Sequence, residues 1–345
     1  MCTIQLPKSD PAMLNSLAQK PERLLGIILA GSVAARVAAA LYLGNSVTDM
    51  PGVFDQISYH TLAQQVLAGK GFSFDQPWWP VTAPGAPTAH WSFLYTLYLS
   101  LIYGLFGVQP LLGRLIQAVV VGVLQPYLAY KLGQRIFNPW VGLLAAALTA
   151  GYIYFIYYTG NLLTEPFYIT AILAVLYLAI RLVDRFTEKN SKHLGLFALL
   201  GLVAGSAVLL RQLFMLVIPF VFLWMLWSSP TGKRRQMFLG LLFSGLIIAC
   251  MILPFSIYNT ARFGQFVLLN TNSGYAFYWG NHPIYGTKFI PILPPEMGSY
   301  LDLIPEEIRR VDEASLEREL LKRGVQFVLD DPGRYILLSI SRIPA

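Results

Sequence analysis

The run Met237-Phe238-Leu239-Gly240-Leu241-Leu242-Phe243-Ser244-Gly245-Leu246-Ile247-Ile248-Ala249-Cys250-Met251-Ile252-Leu253-Pro254-Phe255-Ser256-Ile257-Tyr258 holds no Asp, Glu, Lys or Arg. A helix rises about 1.5 Å per residue, so roughly 20 apolar residues cross a bilayer core. Six further apolar runs flank it: Leu24–Leu43, Leu111–Tyr130, Pro139–Tyr158, Glu165–Leu182, Leu194–Leu210 and Leu213–Trp227. Each ends near charge, Pro or Gly. The composition agrees, with 55% hydrophobic and only 12% charged residues, where soluble domains carry roughly a quarter charged. The expected fold class is an all-α integral membrane protein of about seven transmembrane helices. A soluble Rossmann, barrel or sandwich enzyme is excluded. Two cysteines, Cys2 and Cys250, build neither a disulfide framework nor a cysteine metal cluster.

The net charge of +7 lies in short loops between apolar runs, without the aromatic-interleaved basic cluster that nucleic acid requires. No nucleic-acid partner is expected. Lys8, Lys20 and Arg23 precede the first run, which reads as an uncleaved signal anchor. The positive-inside rule then places the N-terminus in the cytoplasm and Gly44–Trp91 outside. Three more basic loops fit the cytoplasmic side: Lys131 with Arg135; Arg181, Arg185, Lys189 and Lys192; and Lys233, Arg234 and Arg235. The stretch Phe93–Gly107 would invert every later loop if it crossed. At about fifteen residues, with Trp91, Tyr95, Tyr98 and Tyr103, it reads instead as a helix lying at the membrane surface.

This assignment leaves two long outer segments, Gly44–Gln109 and Asn259–Arg334. The expected organisation is a transmembrane module over 1–258 with a first external loop at 44–110, an external loop with an amphipathic helix over 259–334, and the start of a further, truncated span over 335–345. Pro305–Leu329 carries the amphipathic pattern, through Ile308, Val311, Leu316, Leu320 and Val325.

No phosphate-binding G-x-x-x-x-G-K-S/T loop, H-E-x-x-H helix or nucleophile elbow is present. What remains is carboxylate, arginine and amide chemistry on the outer side. Asp55 opens a short helix that Gly69 and Gly71 stop, and Tyr59 and Leu62 share its face. An N-terminal carboxylate that merely stabilises its helix fits Asp55 about equally well. Asp49 and Asp75 are weaker candidates, in loop surroundings. Charges at the membrane edge are functional candidates because burying one unpaired is costly. Arg114, Arg211 and Glu165 qualify, each near the outer end of a helix. Arginine's rigid fork suits a lipid phosphate, while a structural Arg–Glu pair between helices is the plainer alternative. Arg36 reads as a counter-ion or a snorkelling side chain. Asn270–Pro283 combines amides, hydroxyls and rings, including Tyr275, Trp279 and Asn281. It suits a sugar and also an interfacial aromatic belt, as do Trp78, Trp79 and Trp91. His60, His90 and His282 could hold a divalent metal with Asp55, but their spacing is no metal motif. No cofactor is certain. Gly201 and Gly205 read as a close helix-packing site.

The order of these features resembles the membrane-embedded glycosyltransferases of the GT-C fold that draw sugar from a polyprenyl phosphate. They include the dolichyl-phosphate-mannose protein mannosyltransferases and the lipid A aminoarabinose transferases. The resembling segments are Asp55–Phe72, Gly107–Arg114, Asn161–Phe167, Leu209–Gln212, Asn259–Gly264, Gly274–Pro283 and Asp331–Arg342. The resemblance implies a GT-C module with large first and last external loops. It also implies a carboxylate in the first loop, Asp55, acting as base on an acceptor hydroxyl while the lipid phosphate leaves with inversion. Arg114 and Arg211 are then the expected phosphate ligands and Glu165 a second acid, with Tyr59, His90 and Asn281 also facing substrate. The implied partners are a polyprenyl-phosphate sugar, a lipid, glycan or protein acceptor, and membrane lipids. The implied place is the plasma (inner) membrane, with the site on its periplasmic or extracellular face. Two departures stand out: Asp55 is followed by Gln56 where the protein mannosyltransferases pair two acids, and Ala89-His90-Trp91-Ser92 stands where they carry His-Pro-Pro. A flippase for lipid-linked saccharides and a noncatalytic membrane subunit are the alternatives.

Overall fold

The computed structural model describes residues 21–50, 53–187, 193–291 and 293–343. Cys2, Lys8, Lys20, Lys189 and Lys192 lie outside them. Thirteen α-helices occur among these residues, and no strand: α1 Pro21–Leu43, α2 Asp55–Leu67, α3 Phe93–Phe106, α4 Pro110–Ile136, α5 Pro139–Gly151, α6 Ile153–Gly160, α7 Glu165–Thr187, α8 Leu194–Leu210, α9 Ile218–Ser228, α10 Arg234–Phe263, α11 Ser273–Asn281, α12 Glu313–Asp330 and α13 Pro332–Ile340. α1, α4, α7 and α10 are long and apolar enough to cross a membrane, and α5 with α6 forms a fifth such segment bent by 50°. α3, α8 and α9 are shorter apolar helices. The chain is thus an all-α, multi-pass membrane protein. The apolar runs of the sequence are helical apart from breaks at Tyr152 and Val217.

The described chain forms two compact units, one from residues up to His60 with Ile102–Ala249, the other from Thr61–Leu101 with Cys250–Ala345. In the first, α4 packs on α1, α5 and α7, and α8 on α7. Glycines set the closest crossings. A Cβ on Gly133 would stand 2.8 Å from the Gly142 Cα, and one on Gly142 would stand 2.6 Å from the Tyr130 carbonyl, so α4 and α5 meet backbone to backbone. Gly201 plays the same part for α8, where a Cβ would lie 2.8 Å from the Ser244 carbonyl of α10. Asn138 starts α5 by accepting the amides of Trp140 and Val141, both at 3.0 Å, and Pro139 follows at the first helical position.

The bend between α5 and α6 explains Arg36, which is neither a counter-ion nor a snorkelling side chain. Extended backbone at Tyr152 breaks the helix and frees carbonyls of the preceding turn. The guanidinium, fully buried, donates to the carbonyls of Thr149 and Ala150, each at 3.1 Å, to Ser32 Oγ at 2.7 Å and to Gln125 Oε1 at 3.3 Å. Hydrogen bonds to backbone oxygens thus replace the carboxylate that a buried cation usually needs.

The two ends of this unit differ in charge. At one end Leu25 packs on Tyr130 and Leu143, Arg135 pairs with Asp184 at 2.6 Å, and Phe186 stacks on His193. Ser244, early in α10, donates to the Phe197 carbonyl, early in α8, at 2.7 Å. Lys131, Arg135, Arg181, Arg185 and the start of α10 therefore share one end. At the other, Asn45, just past α1, accepts the Leu111 amide at 2.9 Å and donates to Gln109 at 3.0 Å. The chain leaves α1 and enters α4 at the same end, so residues 44–109 make no net crossing. α3, with 14 residues, therefore need not be counted as a span.

In the second unit, α11 packs on α12, with a core of Tyr275, Tyr278, Ile304, Ile308, Leu316 and Leu320. The expected amphipathic helix begins later than its apolar pattern. Asp312 caps it by accepting the Ser315 amide at 3.0 Å, and Glu306–Ile308 is left as a short 3-10 turn.

Candidate active site

Five helix ends of the first unit converge: the C-termini of α1, α6 and α8 and the N-termini of α4 and α7. Gln117 of α4 ties α6 to α4 by donating to the carbonyls of Thr159 and Asn161, both at 2.8 Å. Glu165 and Pro166 open α7, the positions where a carboxylate favours the helix dipole and a proline loses no hydrogen bond. Arg211 ends α8, its amide donating to the Ala207 carbonyl at 2.9 Å, before the chain turns into the 3-10 segment Gln212–Leu216.

The ends bring the charges together. Arg211 Nη2 meets Glu165 Oε1 at 2.5 Å, and its Nε donates to Thr164 Oγ1 at 3.3 Å. Neither side chain is fully covered, Arg211 being 43% and Glu165 28% exposed. Asp55, in the first turn of α2, is affected by both. Burial first, and then the Glu165 charge, push its carboxyl up to about 6, against the opposing pull of Arg211. A carboxyl at 6 is a stronger base than an ordinary aspartate and still about nine-tenths ionised at pH 7.

Arg114, expected to contact phosphate, lies inside the first unit with its donors turned to backbone and amide oxygens. Its guanidinium is fully buried, with Nη1 on the Gly44 carbonyl at 2.5 Å and Nη2 on the Ser46 carbonyl at 2.7 Å and Gln56 Oε1 at 3.2 Å. Gln56, also buried, donates its Nε2 to the Thr48 carbonyl at 2.5 Å. The departure from a second acid is thereby explained. A carboxylate at 56 could accept from Arg114 but has no proton for Thr48. The amide does both, and it fixes the first turn of α2 and Asp55 beside it. Tyr59 is buried on the same helix. His60 Nδ1 lies 2.9 Å from the Tyr103 hydroxyl, and burial with the nearby Arg114 lowers its pKa.

His90 and Asn281 belong to the second unit. His90 is partly buried against Trp91 and Tyr275, and desolvation lowers it to about 4, so the ring is neutral. Asn281 donates to the Phe277 carbonyl at 2.8 Å, and its backbone carbonyl receives Arg334 at 2.8 Å. The aromatic side chains singled out for sugar stacking largely pack on one another, Tyr275 edge-on to Trp279 at 3.9 Å, and Trp79 and Tyr300 tilted against Trp279 at 5.2 and 4.2 Å between centroids. Among the described residues no three His, Cys, Asp or Glu side chains gather as a metal site.

Sequence reasoning missed Glu313. Buried in the first turn of α12, it accepts from Thr82 Oγ1 at 2.9 Å, the Ala89 amide at 2.8 Å and the Thr271 hydroxyl, and desolvation raises its pKa. Its one visible signal was its place after Asp312 at the head of an amphipathic helix, where a capping acid is ordinary.

Residues 90–258 match the family of dolichyl-phosphate-mannose-protein mannosyltransferases. That match, over just under half of the chain, supports the resemblance to the GT-C glycosyltransferases. The matched segment contains His90, Arg114, Glu165 and Arg211, whereas Asp55, Tyr59 and Asn281 lie outside it. No curated protein and no solved structure gives a significant match to the chain.

Proposed function

We propose that this protein is an inverting glycosyltransferase that moves a sugar from a polyprenyl-phosphate donor to an acceptor hydroxyl, with Asp55 as general base. The acceptor O–H bond breaks and its proton passes to Asp55. The freed oxygen bonds to the anomeric carbon as the bond from that carbon to the phosphate oxygen breaks, and polyprenyl phosphate leaves. Arg211, whose Nη1 is not used by Glu165 or Thr164, would offset the charge growing on the leaving phosphate. Arg114 and Gln56 would position the base rather than touch substrate. Tyr59 in the first unit remains a candidate for the acceptor, His90 and Asn281 in the second are taken separately as candidates for the sugar, and lipid, glycan and protein acceptors all fit this chemistry.

The observation that carries this reading is a carboxyl at about 6 beside a Glu165–Arg211 pair at the less basic end of the first unit. By the positive-inside rule that end faces away from the cytoplasm, which puts transfer on the periplasmic or extracellular face of the plasma membrane. The test is release of polyprenyl phosphate from a panel of polyprenyl-phosphate sugars by the parent and by Asp55→Asn. Release by the parent alone, with an acid limb near pH 6, is the expected result. Release by both removes Asp55 from its role. Donor bound by both without release favours a carrier of lipid-linked saccharide.

A further inference from the structure

At the basic end of the first unit, α4 and α7 enclose an open hollow of about 530 Å³. Lys131, Gln134 and Arg135 come to it from α4, Tyr177, Arg181 and Asp184 from α7. One cation is neutralised, since Arg135 holds Asp184 through two hydrogen bonds of 2.6 Å. The other two lie against aromatic faces, and Lys131 spends one of its three donors on Gln134 Oε1 at 3.4 Å. Lys131 Nζ sits 5.4 Å from the Tyr130 ring centre and 5.5 Å from that of Tyr127, and the Arg181 guanidinium sits 5.9 Å from that of Tyr177. Cation–π contact fixes a side chain while leaving its N–H donors largely unspent. The hollow therefore carries two surplus positive charges with donors available for an anion.

A second hollow, of about 270 Å³, shares Arg135, Ile180 and Asp184 with the first and continues over Ile136, Val183 and Trp224. Its walls past the shared residues are apolar, and Trp224 stands 42% exposed. A polar, cationic hollow opening into an apolar one matches an amphiphile with an anionic head and a hydrocarbon chain. A free inorganic anion would use only the first. We propose that this paired hollow binds an anionic glycerophospholipid, its phosphate between Lys131 and Arg181 and an acyl chain against Trp224. The site lies at the opposite end from Asp55 and stands independently of the transfer chemistry.

Native mass spectrometry of the full chain in a neutral detergent, with phosphatidylglycerol and phosphatidylcholine added in equal amounts, tests this. Phosphatidylglycerol should be retained preferentially. The double variant Lys131→Gln, Arg181→Gln should lower its affinity about 30-fold, taking ~1 kcal/mol for each cation near a lipid phosphate. Lys131→Arg with Arg181→Lys should keep it, and Trp224→Ala should weaken it with no change of charge. Equal retention of the two lipids overturns the proposal, as does a folded double variant that binds like the parent. Displacement of phosphatidylglycerol by millimolar inorganic phosphate would make this a soluble-anion site. Displacement by equimolar polyprenyl phosphate would make it a site for the carrier lipid. The lipid competitions need no variant, so the outcome does not depend on the double variant folding.

Discussion

Replacing Asp55 by Asn should stabilise the protein while removing its activity. Burial and Glu165 hold the carboxyl at about 6 in the folded protein, against roughly 3.9 in an unfolded chain. Between those values the folded state binds the proton more tightly, so stability falls as pH rises from about 4 to about 6 and is level above. At 1.36 kcal/mol per pH unit the ionised carboxylate costs roughly 3 kcal/mol at pH 8. Asn avoids that cost but forfeits about 0.3–1 kcal/mol of favourable interaction between a carboxylate and the α2 N-terminus. The net expectation is a gain of about 2 kcal/mol at pH 8 that vanishes near pH 4. Thermal unfolding in detergent, followed by tryptophan fluorescence at one fixed scan rate, reads it, since unfolding of such proteins is commonly irreversible. The Tm of Asp55→Asn should exceed the parent's at pH 8 and meet it at pH 4. An Asn variant that is equally or less stable at pH 8, or a gap that ignores pH, would refute the reasoning. Asp55 would then be a carboxylate placed for its helix.

Arg114→Lys should destabilise the fold by about 3 kcal/mol or more, because an ammonium cannot span the Gly44, Ser46 and Gln56 oxygens; limited proteolysis should show the 44–54 loop cleaved first. Gly142→Ala should cost about 1–3 kcal/mol through overlap with the Tyr130 carbonyl, whereas Gly245→Ala, with nothing within 4 Å of its Cβ, should be neutral or slightly stabilising by thermal unfolding. Glu313→Ala strands the Ala89 amide and the Thr82 and Thr271 hydroxyls and should cost about 3 kcal/mol, while Glu313→Gln, still an acceptor, should lose far less. Because burial raises the Glu313 carboxyl, its ionised form weighs on the parent at high pH. The parent should therefore gain on the Gln variant as pH falls through the acid range.

Helix positions were legible because a membrane solvent forces apolar runs into helices: backbone amides have no other partner there. Phe93–Gly107 was read as a surface helix from its length, a reading with which Asn45 meeting Leu111 at one end of the bundle agrees. The bend at Tyr152 was not. Pro139–Tyr158 reads as one uninterrupted apolar run, and what permits the break is Arg36, more than a hundred residues earlier, taking the freed carbonyls. Arg36 was misread for the same reason, since a sequence offers a cation either a carboxylate or water and does not show broken helices. Gln56 was seen only as a missing acid. Its reason lies in Arg114 on one side and the Thr48 carbonyl on the other.

The charges of the candidate site illustrate how far residue type alone reaches. Asp55, Glu165 and Arg211 each stand at a helix end, and alternation of helix direction is enough to bring those ends to one side of the bundle. Which acid receives the arginine is decided by the neighbourhood of α7 and α8, which places Glu165 and Thr164 against Arg211 at 2.5 and 3.3 Å. With the guanidinium engaged by Glu165, Asp55 feels a carboxylate as well as a cation and lies in a drier place, so its pKa rises rather than falls. Had Arg211 paired with Asp55, the same three residues would have given a depressed aspartate pKa, suited to holding helices together and too weak a base for an acceptor hydroxyl. The acid left without its own cation is the one that can take a proton at neutral pH, and helix packing rather than the sequence motif selects it.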